Sequence, residues 1–208
     1  MQTSKLMNVP YARYLLLQEK LRKRRRELLL FLEHRPVITA GINYNMEELL
    51  VSEDFLKNGS IDLEFVKRGG KFTAHEPGQL VIYPHIDLKK RGLTISGYLD
   101  LLNNSLREAA DSAWGIKIIQ NRENPGLYLQ DSPDKKLVSV GVDCKSWFSS
   151  FGAAVNISNT RETFKLIHPC GLPADVMVSV RDIYPGAPDE KKFIDSFAEI
   201  FLHGLERH

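Results

Sequence analysis

Three side chains in this sequence are of types that perform nucleophilic or proton-transfer chemistry, and each stands in a distinctive setting. Cys170 lies between Pro169 and Gly171. The chain must turn there, and a thiol held in a turn is more available than one on a buried strand. By residue type alone Cys170 also reads as a small buried hydrophobe, because cysteine is among the most buried residues. Lys136 follows the turn Ser132-Pro133-Asp134 and opens a strand whose other members are apolar, so it is either directed inward or solvated at the strand's start. An ammonium beside Cys170 would lower the thiol pKa from about 8.5 and raise the thiolate fraction near neutral pH. His75 is the imidazole of a glycine-rich stretch and reads as a base, a hydrogen-bond donor or a satisfied polar residue. Cys144, in Val142-Asp143-Cys144-Lys145, has no turn around it and reads as structural.

The stretch holding His75 runs Arg68-Gly69-Gly70-Lys71-Phe72-Thr73-Ala74-His75-Glu76-Pro77-Gly78-Gln79, between two runs that read as strands. Gly69 and Gly70 let the backbone approach a ligand closely, and Pro77-Gly78 marks a tight turn. A ligand cradle and a long hairpin connection both fit these residues.

The elements that must position these groups are legible from periodicity. Residues 11–26 space Tyr11, Tyr14, Leu17 and Leu21 helically and end in a basic block, residues 20–26. Residues 27–33 and 37–40 read as short buried strands broken by Arg35-Pro36. Residues 46–56 carry a helical pattern stopped by Asn58-Gly59. Residues 61–66 alternate as a half-buried strand into the glycine stretch, and residues 79–86 form the strand leaving it. Residues 93–114 predict the longest helix, with Leu99, Leu102, Leu106 and Ala110 on one face, Thr94 or Ser96 as cap and Gly115 as stop. Strands follow over 116–120, 126–130, 137–142 and 147–157, then a short helix over 163–167 and an amphipathic helix over 189–205.

Mixed strands with covering helices predict one α/β (α+β) domain over residues 1–208, without Rossmann alternation. There is no GxGxxG and no GxxxxGK[ST], so dinucleotide and P-loop chemistry are discounted. Two cysteines without a CxxC pair, and no paired histidine spacing, support neither a disulfide framework nor a metal site. A net charge of +2 argues against nucleic-acid binding. The basic block is a solvated helix face or a docking patch for an acidic partner protein. The densest apolar run, residues 28–32, is too short to cross a bilayer. Without an apolar signal core in residues 1–13, a cytoplasmic protein with no membrane partner is expected.

The ordered motifs Arg68-Gly69-Gly70 to His75 with Pro77-Gly78-Gln79, then residues 136–141, residues 152–156 and Pro169-Cys170-Gly171, resemble the lipoyl(octanoyl) transferases of lipoate biosynthesis. Residues 29–37 fit the same family, so the resemblance spans roughly residues 10–180. It implies the biotin/lipoate protein ligase type of α/β fold and no metal, nucleotide or other cofactor. It implies transfer of an octanoyl or lipoyl group from acyl carrier protein to a lysine. The acceptors would be lipoyl domains of 2-oxoacid dehydrogenase complexes and the glycine cleavage H protein. It further implies that Cys170 is the acyl-thioester nucleophile and that Lys136 lowers its pKa. The acyl site would be lined by Arg68, Gly69, Gly70, Lys71, Phe72, Thr73, Ala74, His75, Ser139, Val140, Gly141, Gly152, Ala153 and Ala154.

The sequence departs from the family pattern at three places. His75-Glu76-Pro77-Gly78 stands for the usual His-Gly-Pro-Gly, and Phe151-Gly152-Ala153-Ala154 for His-Gly-Phe-Ala. The Thr-Ser pair common after the cysteine motif is not evident in residues 175–182. Two other readings compete: an ATP-dependent lipoate or biotin ligase, which needs no nucleophilic cysteine, and a non-catalytic binder of carrier or lipoyl domains.

Overall fold

Strand β1 (Gln2–Val9) opens the computed structural model, which describes residues 1–121 and 124–207 apart from the side chain of Cys170. The chain continues through α1 (Tyr11–Arg24), β2 (Leu28–His34), β3 (Val37–Ala40), α2 (Glu53–Asn58), β4 (Asp62–Phe65), β5 (Phe72–His75) and β6 (Gln79–His85). It then forms α3 (Ile95–Trp114), β7 (Ile118–Gln120), β8 (Leu127–Leu129), β9 (Lys136–Lys145), β10 (Phe148–Asn156), α4 (Val180–Ile183) and α5 (Glu190–Glu206). Seven strands pair in the order β1-β2-β6-β10-β9-β8-β7, and β4-β3-β5 form a second, small sheet. The large sheet is mixed: β1 runs parallel to β2, whereas β2, β6, β10 and β9 pair antiparallel in turn.

The apolar run in β2 follows from burial on both faces. Leu29 and Phe31 face α3 and α5, meeting Leu102, Leu106, Phe197 and Phe201. Leu28, Leu30 and Leu32 face the opposite layer, where α1 lays Tyr11, Tyr14 and Leu21. A third core lies under the small sheet, joining Ile38, Ala40, Phe72 and Ala74 to Leu56, Phe164 and Ile167.

Helix α3 is bounded as its sequence requires. Thr94 Oγ1 accepts from the Gly97 N–H at 3.0 Å, and Gly115 closes the helix in a left-handed conformation. Its buried seam runs through Tyr98, Leu102, Leu106 and Ala110, with Leu99 only half-buried beside it. Three expectations change. The pattern over 46–56 is not one helix: a 3₁₀ turn, Met46–Glu48, is capped by Asn45, and α2 restarts at Ser52, whose hydroxyl accepts from the Phe55 N–H at 3.2 Å. The glycine stretch is not all loop, because residues 72–75 form β5, antiparallel to β3 with Val37 opposite His75. Strand β1 was not expected at all. It is an edge strand with only Val9 buried, so it carries no alternating apolar signal and is held by main-chain pairing to β2.

Candidate active site

Where β5, β9 and β10 approach one another, they enclose a cavity of about 270 Å³. Arg68, Gly69, Gly70 and Lys71 form one wall, continued by Phe72, Thr73 and His75 of β5. The opposite wall is Lys136, Ser139, Val140 and Gly141 of β9 with Gly152, Ala153 and Ala154 of β10. These residues come from separate parts of the chain, and the two sheets bring them together. One expected member is elsewhere: Ala74, by strand alternation, is buried in the core of the small sheet with Ile38 and Phe164.

The first wall is fixed by Arg68, which is buried. Its guanidinium donates to the Thr39 carbonyl at 2.8 Å, to Thr39 Oγ1 at 2.7 Å and to the Gly69 carbonyl at 3.0 Å. A fork of five donors suits this role, since one side chain can tie its own loop to β3. The Gly69 N–H donates to the Val142 carbonyl at 3.0 Å, which fastens the loop to β9.

Lys136 is only 2% exposed. A buried ammonium must be hydrogen-bonded, and Nζ donates to the Pro125 carbonyl at 2.6 Å while lying 5.5 Å from the centre of the Tyr128 ring. The Lys136 carbonyl accepts from the Val178 N–H at 3.0 Å, joining β9 to the segment that follows Cys170. The inward orientation is therefore the one adopted.

The backbone of Cys170 lies in a 3₁₀ turn, Pro169–Gly171, packed against β5; its side chain, the expected nucleophile, lies outside the described residues. Glu48 brackets this turn twice. Its carbonyl accepts from the His168 N–H at 2.7 Å, and its carboxylate pairs with Lys71 Nζ. Gly171 has φ +78°, and a Cβ built on it would lie 2.9 Å from Lys71 Nζ. A cation lining the cavity thus stands against the residue following Cys170.

His75 is neutral. Burial, reinforced by the nearby His34 ring, pushes it down to about 3. Gln79 Nε2 donates to Asn156 Oδ1 at 2.9 Å, so Gln79 Oε1, 2.7 Å from His75 Nδ1, accepts, and the Nδ1–H tautomer is assigned. Behind it Tyr11 stacks on the imidazole at 5.9 Å between centroids, and Tyr83 packs on Tyr14 at 4.2 Å.

Four lining residues carried no signal of their own in the sequence, Asn43, Tyr83, Asn124 and Pro125, and a fifth, Phe151, stood there only as a departure from the family's histidine. Phe151 sits mid-strand with φ +59°, and its N–H donates to Tyr14 Oη at 3.1 Å. A bulky residue in the left-handed region is costly and is held by its surroundings. Among the described residues, no group of three or more His, Cys, Asp or Glu is placed to hold a metal ion, and no helix is long and apolar enough to cross a membrane.

Residues 6–202 match the model of the lipoyl protein ligase A/B catalytic domain. The chain belongs to that family and is an enzyme, an acyltransferase of protein lipoylation. It is 53% identical to the octanoyltransferase of Leptospira borgpetersenii over 84% of this chain and 80% of that protein. It is 34% identical to the octanoyltransferase of Desulfotalea psychrophila over 85% and 80%. In fold it is similar to the bi-partite lipoate protein ligase of Thermoplasma acidophilum (TM-score 0.72, 15% identity, covering 99% of this chain and 85% of that one). A lipoate-protein ligase A bound with ATP has a TM-score of 0.72 at 17% identity, covering 99% and 86%. The biotin/lipoate protein ligase type of fold is thereby established.

Proposed function

We propose that the octanoyl transfer of this enzyme runs through a thioester on Cys170, with octanoyl-acyl carrier protein as donor and a lysine of a lipoyl domain as acceptor. One observation carries the reading: a single cavity gathers the glycine wall of residues 68–71, buried Lys136 and the small residues of β9 and β10. An octanoyl chain gains about 0.8 kcal/mol per buried CH₂, so a narrow apolar slot is sufficient to hold it.

In the first half-reaction the Cys170 thiolate attacks the donor thioester carbonyl. A new carbon–sulfur bond forms as the donor's breaks, and the leaving carrier thiolate takes its proton from the Lys136 ammonium, which leaves that amine neutral for the second half-reaction. In the second, the acceptor amine attacks the Cys170 thioester, an amide forms, and the Cys170 thiolate is released. That amine has an ordinary pKa near 10.4 and must lose a proton to complete the step. Lys136, buried and held by the Pro125 carbonyl, is the base assigned to it. Splitting one transfer into two lets the bulky donor and acceptor dock in turn, and ping-pong kinetics follow. The acceptors are the lipoyl domains of 2-oxoacid dehydrogenase complexes and the glycine cleavage H protein, met in the cytoplasm.

Intact-protein mass after mixing with octanoyl-acyl carrier protein tests this. Wild type is expected to gain one octanoyl group, Cys170→Ser none, and Lys136→Ala the same group far more slowly. No gain by wild type, together with transfer from free octanoate and ATP, would replace the thioester route by a ligase mechanism.

A further inference from the structure

The carboxylate that departs from the family's glycine is not a surface charge. Glu76 is 4% exposed, between the cavity-lining His75 and the turn at Pro77. Three N–H donors converge on it: the backbone amide of Arg161, the backbone amide of Thr163 at 2.9 Å, and the side-chain amide of Asn159 at 3.1 Å. Hydrogen bonds to a carboxylate are the stronger kind. Here they replace the hydration that burial removes.

The same carboxylate ends a buried polar chain that starts in the cavity. His75 Nδ1 bonds Gln79 Oε1, Gln79 Nε2 donates to Asn156 Oδ1 at 2.9 Å, and Asn159 Nδ2 donates to Asn156 Oδ1 at 3.2 Å and to Glu76. Beyond Glu76, Thr163 begins a 3₁₀ turn, Thr163–Leu166, and the Pro169–Gly171 turn follows directly. The Ser158 N–H donates to the Gly78 carbonyl at 2.9 Å, so residues 158–163 are fastened along residues 76–78.

We infer that Glu76 is a positioning residue: by anchoring residues 159–163 to the end of β5, its carboxylate sets where the Cys170 turn stands relative to His75 and the acyl cavity. This rests on the reading that Cys170 is the acylated residue. The Glu76 carboxylate accepts from Asn159, Arg161 and Thr163. It acts through the main chain of the segment that delivers the nucleophile, and a 1 Å misplacement of such a group costs about a hundredfold in rate.

Glu76→Gln tests the inference, because the amide cannot accept from the Thr163 N–H through its nitrogen. The readouts are the single-turnover rate of Cys170 octanoylation, the pH profile of Cys170 alkylation by iodoacetamide, and hydrogen exchange of the amides of residues 161–166. Expected are octanoylation slowed at least tenfold with donor KM within about threefold of wild type, an altered alkylation profile, and faster exchange at Thr163. Glu76→Asp, which keeps the charge, is expected to recover part of the rate. A folded Glu76→Gln protein with wild-type octanoylation and alkylation profiles overturns the inference. If Glu76→Gln does not fold, Asn159→Ser, which spares both backbone bonds, must slow octanoylation at least threefold, and an unchanged rate overturns it equally. Should wild type take up no octanoyl group, the thioester reading fails by itself. The alkylation profile and amide exchange then decide whether Glu76 positions the turn.

Discussion

Gly126 lies beneath the Lys136 side chain: a Cβ on it would fall 3.0 Å from Nζ and closer still to Cε. Its φ of +129° is one that residues with a side chain rarely adopt, and the preceding carbonyl, that of Pro125, receives the Lys136 ammonium. The turn at Pro125-Gly126 is therefore both the floor under the lysine and its hydrogen-bond partner. Gly126→Ala is expected to displace Nζ and lower kcat for octanoyl transfer tenfold or more, with KM for the donor within about threefold. Wild-type kcat in the folded variant would show that the floor does not set the lysine's position.

Cys144 stands where its thiol stays protonated. Burial, with the Asp143 carboxylate beside it, pushes the Cys144 thiol up to about 11. At neutral pH its thiolate fraction is then negligible, and thiolate is the reactive form. Brief iodoacetamide treatment at pH 7.5 is expected to label Cys170 and spare Cys144 in peptide mapping, and Cys144→Ser should keep the full octanoyl adduct. Labelling of Cys144 at a comparable rate would contradict its burial in solution.

How much of this was legible beforehand differs by element. Helices α1, α3 and α5 follow from periodicity, because each buries one face, whereas β2, β6 and β10 are buried on both faces and show as runs between turn residues. Strand β1 buries only Val9, and β5 is four residues inside a glycine-rich stretch; both exist through pairing partners remote in sequence, which no local pattern reports. At the site, Lys136 and the residues expected to line the acyl site, other than Ala74, come together around one cavity, yet Tyr83 and Pro125 join them only because β6 and the 124–126 turn fold beside it. The Glu76 departure was visible as a carboxylate in place of a glycine. Its partners, residues 159–163, lie more than eighty positions away and could not be read from it.

Three buried imidazoles make acid stability a sharp test of the packing behind the cavity. Burial lowers His34 to about 4, His75 to about 3 and His85 to about 4, all below the ordinary value of 6.5. Between those values and 6.5 the unfolded chain binds protons that the native state does not, so stability falls as pH drops below 6.5 and is intact above it. Each ring contributes up to about 1.4 kcal/mol per pH unit in that window. The urea midpoint is expected to fall steeply from pH 7 to pH 5, and less steeply in His85→Phe. A midpoint independent of pH over that range would mean that the rings are solvated or paired in solution.

The basic block at the end of α1 offers a final comparison of charge with distance. Arg22 and Lys23 pair with Glu19, and Arg25 pairs with Asp87, so part of the charge is neutralised within the chain. Tyr11, at the other end of the helix, stacks on His75 at the cavity. At 1.5 Å per residue, Lys20 and Arg24 of the block lie about 14 and 20 Å along α1 from Tyr11. Both exceed the screening length of about 10 Å at 0.1 M salt, so the block can steer an acidic partner at low ionic strength but does not hold its acyl group at the site. Lys20→Glu combined with Arg24→Glu is expected to lower kcat/KM for octanoyl-acyl carrier protein no more than about threefold at 20 mM salt, with kcat unchanged and the difference gone at 200 mM. A tenfold loss that persists at high salt would instead make this face of α1 a direct contact surface for the donor.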